Sequence, residues 1–149
     1  MWGISIMTLD IESKLYIEAK GLPANEILSI SFLPVEKFYE TAYKSEKYII
    51  VADEDEGMNE IGINQYGNIY FLGFGSDSKQ YISHSLSKFA KQLLSFQSFK
   101  RSVANCGEEE LKRHTNEFKK TINDIDSTAL KNDETFWSDI FKHMKEVLR

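Results

Sequence analysis

Residues 60–72 read as two strands facing each other across a turn, and no other stretch restricts the fold as much. Glu60-Ile61-Gly62-Ile63-Asn64 and Asn68-Ile69-Tyr70-Phe71-Leu72 are rich in β-branched and aromatic residues, with Gln65-Tyr66-Gly67 between them. Gly67 has no Cβ to oppose a positive φ, which a three-residue hairpin turn with a bulge requires. The chain therefore contains antiparallel sheet.

Helical and strand signals fall in order around this hairpin. Asp10 suits the N-cap of a helix over about Ile11 to Lys20, and Gly21-Leu22-Pro23 is its stop. Ile27 to Leu33 reads as a strand closed by Pro34, while Val35 to Lys44 gives no clear signal. Tyr48-Ile49-Ile50-Val51 predicts a central strand, and Asp53-Glu54-Asp55-Glu56-Gly57 a solvent loop, since four adjacent carboxylates resist desolvation together. Gly73 to Ser78 breaks the pattern before a short strand at Gln80-Tyr81-Ile82. Ser83 or Ser85 then caps a helix with Leu86, Phe89, Ala90, Leu93 and Leu94 on its core-facing side. A second helix over Glu108 to about Asn123 has a thin stripe of Leu111, Phe118 and Ile122, which predicts a peripheral place. The last is expected to start near Asp133 and to present Phe136, Trp137, Ile140, Phe141, Met144, Val147 and Leu148. Helix, strands, then three helices is the segregated order of α+β folds, not the alternation that builds parallel sheets.

Composition narrows the function. At 149 residues the chain is expected to form one domain spanning 1–149, with the order of Met1 to Met7 left open. Twenty-three Asp and Glu against 18 Lys and Arg give a net charge of −5, which disfavours a nucleic-acid reader. Cys106 stands alone, so no internal disulfide forms, in keeping with a reducing, cytoplasmic setting. No apolar run reaches the length of a membrane helix, and no basic stretch precedes Asp10 and Glu12 as in a signal peptide.

Each chemical motif has a plainer explanation. Asp53, Glu54, Asp55 and Glu56 could attract a cation, but Gly57 stands where a calcium loop needs its third acidic ligand. They could equally meet a basic partner surface or simply stay solvated. Gly73-Phe74-Gly75 lacks the third glycine of a dinucleotide loop. Ser83-His84-Ser85 suits helix capping better than nucleophilic catalysis, because adjacent side chains diverge. His114 has Glu110 and Glu117 at helical spacing but no third ligand, His143 suits a helix C-terminus, and Cys106 is a weak nucleophile candidate. Trp137 and Phe141 are expected in the core, whereas Phe96, Phe99 and above all Tyr66 are candidates for exposed aromatic contacts.

Residues 15 to 149 resemble the SUKH superfamily of bacterial immunity proteins, and most of all its fourth subgroup. Gly21-Leu22-Pro23, Tyr48 to Val51 with the acidic glycine-bearing loop, and Ile61 to Tyr70 carry the likeness. So do Tyr81-Ile82-Ser83-His84-Ser85-Leu86-Ser87-Lys88-Phe89, Asp126 with Ala129-Leu130, and Trp137. Two positions depart from the pattern: His84 replaces an asparagine, and Ala52-Asp53 stands where a glycine is common. The resemblance implies a curved antiparallel sheet backed by helices, no catalytic residues, no cofactor, no metal, and a function of binding and neutralising a cognate toxin.

The leading expectation is therefore a non-enzymatic immunity protein that occludes a polymorphic or contact-dependent toxin, with a basic nuclease domain suiting its charge. Asp53, Glu54, Asp55, Glu56 and Tyr66 are the expected partner contacts; direct nucleic-acid or membrane binding is not expected. One alternative is a small hydrolase-like enzyme using His84 or His114 with carboxylates. Another is a non-catalytic scaffold or regulatory domain.

Overall fold

In a computed structural model of the chain, residues 9–73 and 78–149 are described. The order of Met1 to Met7, and the centre of the Gly73 to Ser78 break, lie outside them. Asp10 caps the first helix, α1 (Ile11–Lys20): one carboxylate oxygen accepts from the Ser13 amide at 3.1 Å and the other from its hydroxyl at 2.7 Å. Gly21 closes it at φ +73°, a conformation costly for any other residue.

Six strands of one antiparallel sheet follow among the described residues: β1 (Ile30–Phe32), β2 (Tyr39–Tyr43), β3 (Glu46–Glu54), β4 (Asn59–Ile63), β5 (Ile69–Gly73) and β6 (Ser78–Ser83). β3 is central as expected. It pairs on one side with β2 and then β1, and on the other with β4, from which β5 and β6 continue the sheet. Three details depart from the sequence reading. The strand expected over Ile27 to Leu33 is confined to Ile30–Phe32, because Ile27 and Ile30 bridge around a tight turn. The unassigned segment after Pro34 contains β2. The acidic run is only half loop, since Asp53 and Glu54 are the last residues of β3 and the turn begins at Asp55.

Side chains on a strand alternate between faces, so the sheet has two. Ile49, Val51, Ile61, Ile63, Ile69 and Ile82 face the helices and form the main core with Phe89, Leu93 and Trp137. Tyr48, Ile50 and Leu72 form a second, smaller cluster on the opposite face. The register of β3 on β4 shifts between Ile50 and Ala52, where Val51 is an extra residue. This bulge turns Ala52 to the helix side and Asp53 to the other.

The helical layer is α2 (Leu86–Ser102), α3 (Glu108–Ile125), α4 (Phe136–Lys142) and α5 (Met144–Val147). Ser85, not Ser83, caps α2 by accepting from the Lys88 amide at 3.2 Å. The apolar stripe of α2 runs on through Phe96 and Phe99, which are buried, while Leu94 is 46% exposed. Both assignments reverse the expectation. α3 is less peripheral than its thin stripe implied: Phe118 stacks on Phe99 at 4.7 Å between centroids and meets Phe96, Trp137 and Phe141 edge-on or tilted. The last helix starts at Phe136 with Thr135 as cap, two residues later than expected, and is interrupted at His143. Trp137 is wholly buried as expected, and its indole N–H donates to Gln92 Oε1 at 2.9 Å.

Candidate functional site

The acidic residues gather at one end of the sheet. Asp53 and Glu60 are cross-strand partners on the face opposite the helices, and Ser31 pairs with Asp53 from β1. Like charges directly opposite one another repel. Burial raises the Glu60 carboxyl above the usual range. The turn beyond them places Asp55 and Glu56 at positive φ, and the Asp55 amide donates to the Ser29 carbonyl at 2.9 Å, which ties it to the neighbouring turn. Glu54 accepts from Asn59 Nδ2 at 2.8 Å, and Glu26 from the Ser31 hydroxyl at 3.4 Å. None of Glu26, Asp53, Glu54, Asp55, Glu56 or Glu60 forms an ion pair with a Lys, Arg or His among the described residues. Residues 9–73 hold twelve Asp and Glu but five Lys and no Arg, so the excess of negative charge lies in this part of the chain. Met58 projects beside the carboxylates, 69% exposed.

Tyr66 is exposed as expected but lies elsewhere. It occupies the β4–β5 turn, and the acidic turn joins β3 to β4, so the two sit at opposite ends of β4. At about 3.3 Å per residue, that strand alone separates them by more than a side chain can span. The Tyr66 turn is built by Asn64, whose Oδ1 accepts from the amides of Tyr66 at 2.9 Å and Asn68 at 3.0 Å, with Gly67 at φ +86° against Asp10. Exposed Ile11 and Leu15 follow Asp10 on one face of α1.

The histidines do not converge. His84 is exposed, and its amide donates to a carboxylate oxygen of Asp126 at 2.6 Å. His114 on α3 is 3.9 Å from Glu117, and His143 is 3.6 Å from Asp139, both loose pairs at the surface. Cys106 is half-buried against the core. Among the described residues no three His, Cys, Asp or Glu side chains are grouped as metal ligands, and no helix is long and apolar enough to cross a membrane.

Asp126 is the residue that sequence reasoning undervalued. Its two oxygens accept from the Ser83 hydroxyl at 2.9 Å, the His84 amide, the Thr128 amide at 2.9 Å and the Thr128 hydroxyl at 2.6 Å. Burial works to raise its carboxyl, but the hydrogen bonds from Thr128, His84 and Ser83 outweigh it and hold the group below the usual carboxylate range. It clamps the segment before α4 to the end of β6. A hydroxyl three residues before a Leu-x-x-Phe helix was visible in the sequence; its partner 43 residues away was not.

An antiparallel sheet with helices on one face and carboxylates gathered at one end defines an α+β protein. The model of the SUKH-4 immunity protein family matches residues 16–143, and the chain belongs to that family. Comparison with curated proteins and with solved structures gives no match.

Proposed function

We propose that this protein protects the cytosol of its cell by binding a toxin and covering its active surface, with no chemistry of its own. Family membership supports the immunity role. The end of the sheet bearing Asp53, Glu54, Asp55 and Glu56, with no ion-pair partner among the described residues, supports a basic toxin, of which a nuclease domain is the fitting kind. Carboxylates that are already solvated and unpaired lose little on meeting arginine or lysine and accelerate the encounter over a Debye length of about 8–10 Å. Tyr66, at the other end of β4, serves as a separate contact at the edge of the same partner or remains outside the interface.

The test is protection. A toxin domain captured by the immobilised chain and identified by mass spectrometry is expressed with and without this chain. Growth should be restored by the chain, and equally by its His84→Ala and His114→Ala variants. Failure to protect defeats the reading, and loss of protection in either histidine variant favours the hydrolase-like alternative.

A further inference from the structure

The sheet face opposite the helices carries a ladder of tyrosines with cations already seated on it. Tyr48, Tyr70 and Tyr81 stand in edge-to-face contact at 5.8 and 5.6 Å between ring centroids. Lys79 Nζ lies 4.9 Å from the centre of the Tyr70 ring and 2.7 Å from Glu46 Oε1, and the Tyr48 hydroxyl donates to that same oxygen at 2.7 Å. Lys131 Nζ lies 3.9 Å from the Tyr81 ring centre. Each cation rests on the negative face of an aromatic ring. Tyr70 and Tyr81 are only half-buried, so their rings remain accessible from the same side.

This surface is continuous with the acidic end. Tyr70 is followed on its strand face by Leu72, whose cross-strand neighbour is Glu60, whose neighbour in turn is Asp53. Glu46 is matched by Lys79, whereas Asp53 and Glu60 form no ion pair with a Lys, Arg or His among the described residues. This face thus combines aromatic rings that bind cations with carboxylates that lack an ion-pair partner among the described residues.

The geometry points to this tyrosine face as the seat of an arginine-bearing protrusion of the partner, with Lys79 holding the place that the partner's guanidinium takes. The inference deepens the toxin-binding reading and rests on it. Arginine fits better than lysine, because its planar guanidinium stacks on Tyr70 while its fork reaches Glu46 or Glu60. Lys79 is displaced into solvent at small cost, since its ion pair is half exposed.

A synthetic peptide, acetyl-Gly-Arg-Gly-Arg-Gly-amide, is titrated into the full chain and followed by NMR at the tyrosine ring protons. Saturable shifts at Tyr70 and Tyr81 are expected, about threefold tighter in Lys79→Ala, where the seat is vacated, and lost in Tyr70→Leu, which keeps the apolar volume. The lysine counterpart of the peptide should bind more weakly. Shifts confined to the amides of Asp55 and Glu56, or equal responses in Lys79→Ala and Tyr70→Leu, overturn the tyrosine seat and leave the acidic-turn reading standing. Absence of any protection in the growth assay defeats the toxin-binding reading itself.

Discussion

Lys79 on β6 donates to Glu46 on β3 at 2.7 Å, although β4 and β5 lie between their strands. In a flat sheet three inter-strand steps of about 4.8 Å would hold these backbones about 14 Å apart. Side chains rising from one face meet across two strands only if the sheet curls toward that face. The bond therefore records the twist and curl of the sheet, and Gly62 leaves room for the rings above it: a Cβ there would come within 2.9 Å of Tyr48 Cβ and 3.2 Å of Leu72 Cδ1. The Glu46 carboxyl is held below its usual range first by the Lys79 hydrogen bond and then by Tyr48. Stability from this group is present above the unfolded carboxylate range and fades as pH falls through the lowered folded value. In Lys79→Ala, Glu46 should titrate at higher pH than in the parent, as read by carboxyl NMR; identical titrations would show that the pair does not form in solution.

Gly62→Ala should destabilise the protein by about 1–3 kcal/mol, because overpacking against the Tyr48 backbone root cannot relax by rotating a flexible tip. Urea denaturation measures it. A neutral result would mean that the second cluster is looser than the structure has it.

Asp126→Ala should be among the most damaging single changes, at about 3 kcal/mol, since it strands the buried Ser83 hydroxyl and the part-buried donors of His84 and Thr128 together. Because the folded carboxyl lies below its usual range, its contribution is complete above about pH 4 and is lost as acid drives the pH below that value. Denaturation midpoints of Asp126→Asn and the parent should therefore converge in acid. Midpoints that stay equally far apart from pH 7 to pH 2 would contradict the clamp.

Trp137 and Gln92 should behave as a unit. Trp137→Phe leaves Gln92 Oε1 buried without a donor, and Gln92→Leu leaves the indole N–H without an acceptor, each costing about 1–3 kcal/mol. The double variant should cost less than the sum of the two. Strict additivity in a double-mutant cycle would show that the 2.9 Å bond contributes nothing.

What the sequence displayed was mostly local. Asp10 and Gly21 bracket α1, and the 60–72 hairpin stands where alternation and Gly67 put it, because caps and turns depend on neighbours along the chain. β2 was hidden because its turn to β3 uses Lys44 and Ser45 at positive φ, without the glycine or asparagine that advertises such turns. The acidic run reads as loop throughout because what extends β3 through Asp53 and Glu54 is pairing with Glu60 and Asn59 of the next strand, which four adjacent carboxylates do not advertise. Phe96 and Phe99 look like surface residues in the sequence because what covers them is Phe118, brought by a different helix. The site followed this rule too: charge and an exposed Tyr66 were legible, whereas the tyrosine ladder and the Asp126 clamp exist only through contacts between distant segments.

In the proposed function, charge and shape bring the chain to its partner. Association kinetics with the toxin domain that the chain captures, measured against ionic strength for the parent and for the Asp53→Asn, Glu54→Gln, Asp55→Asn, Glu56→Gln quadruple variant, test it most directly. The account predicts an association rate about tenfold slower at low salt in the variant, a difference that shrinks as salt rises, and a nearly unchanged dissociation rate. Equal association rates at every salt concentration would contradict it.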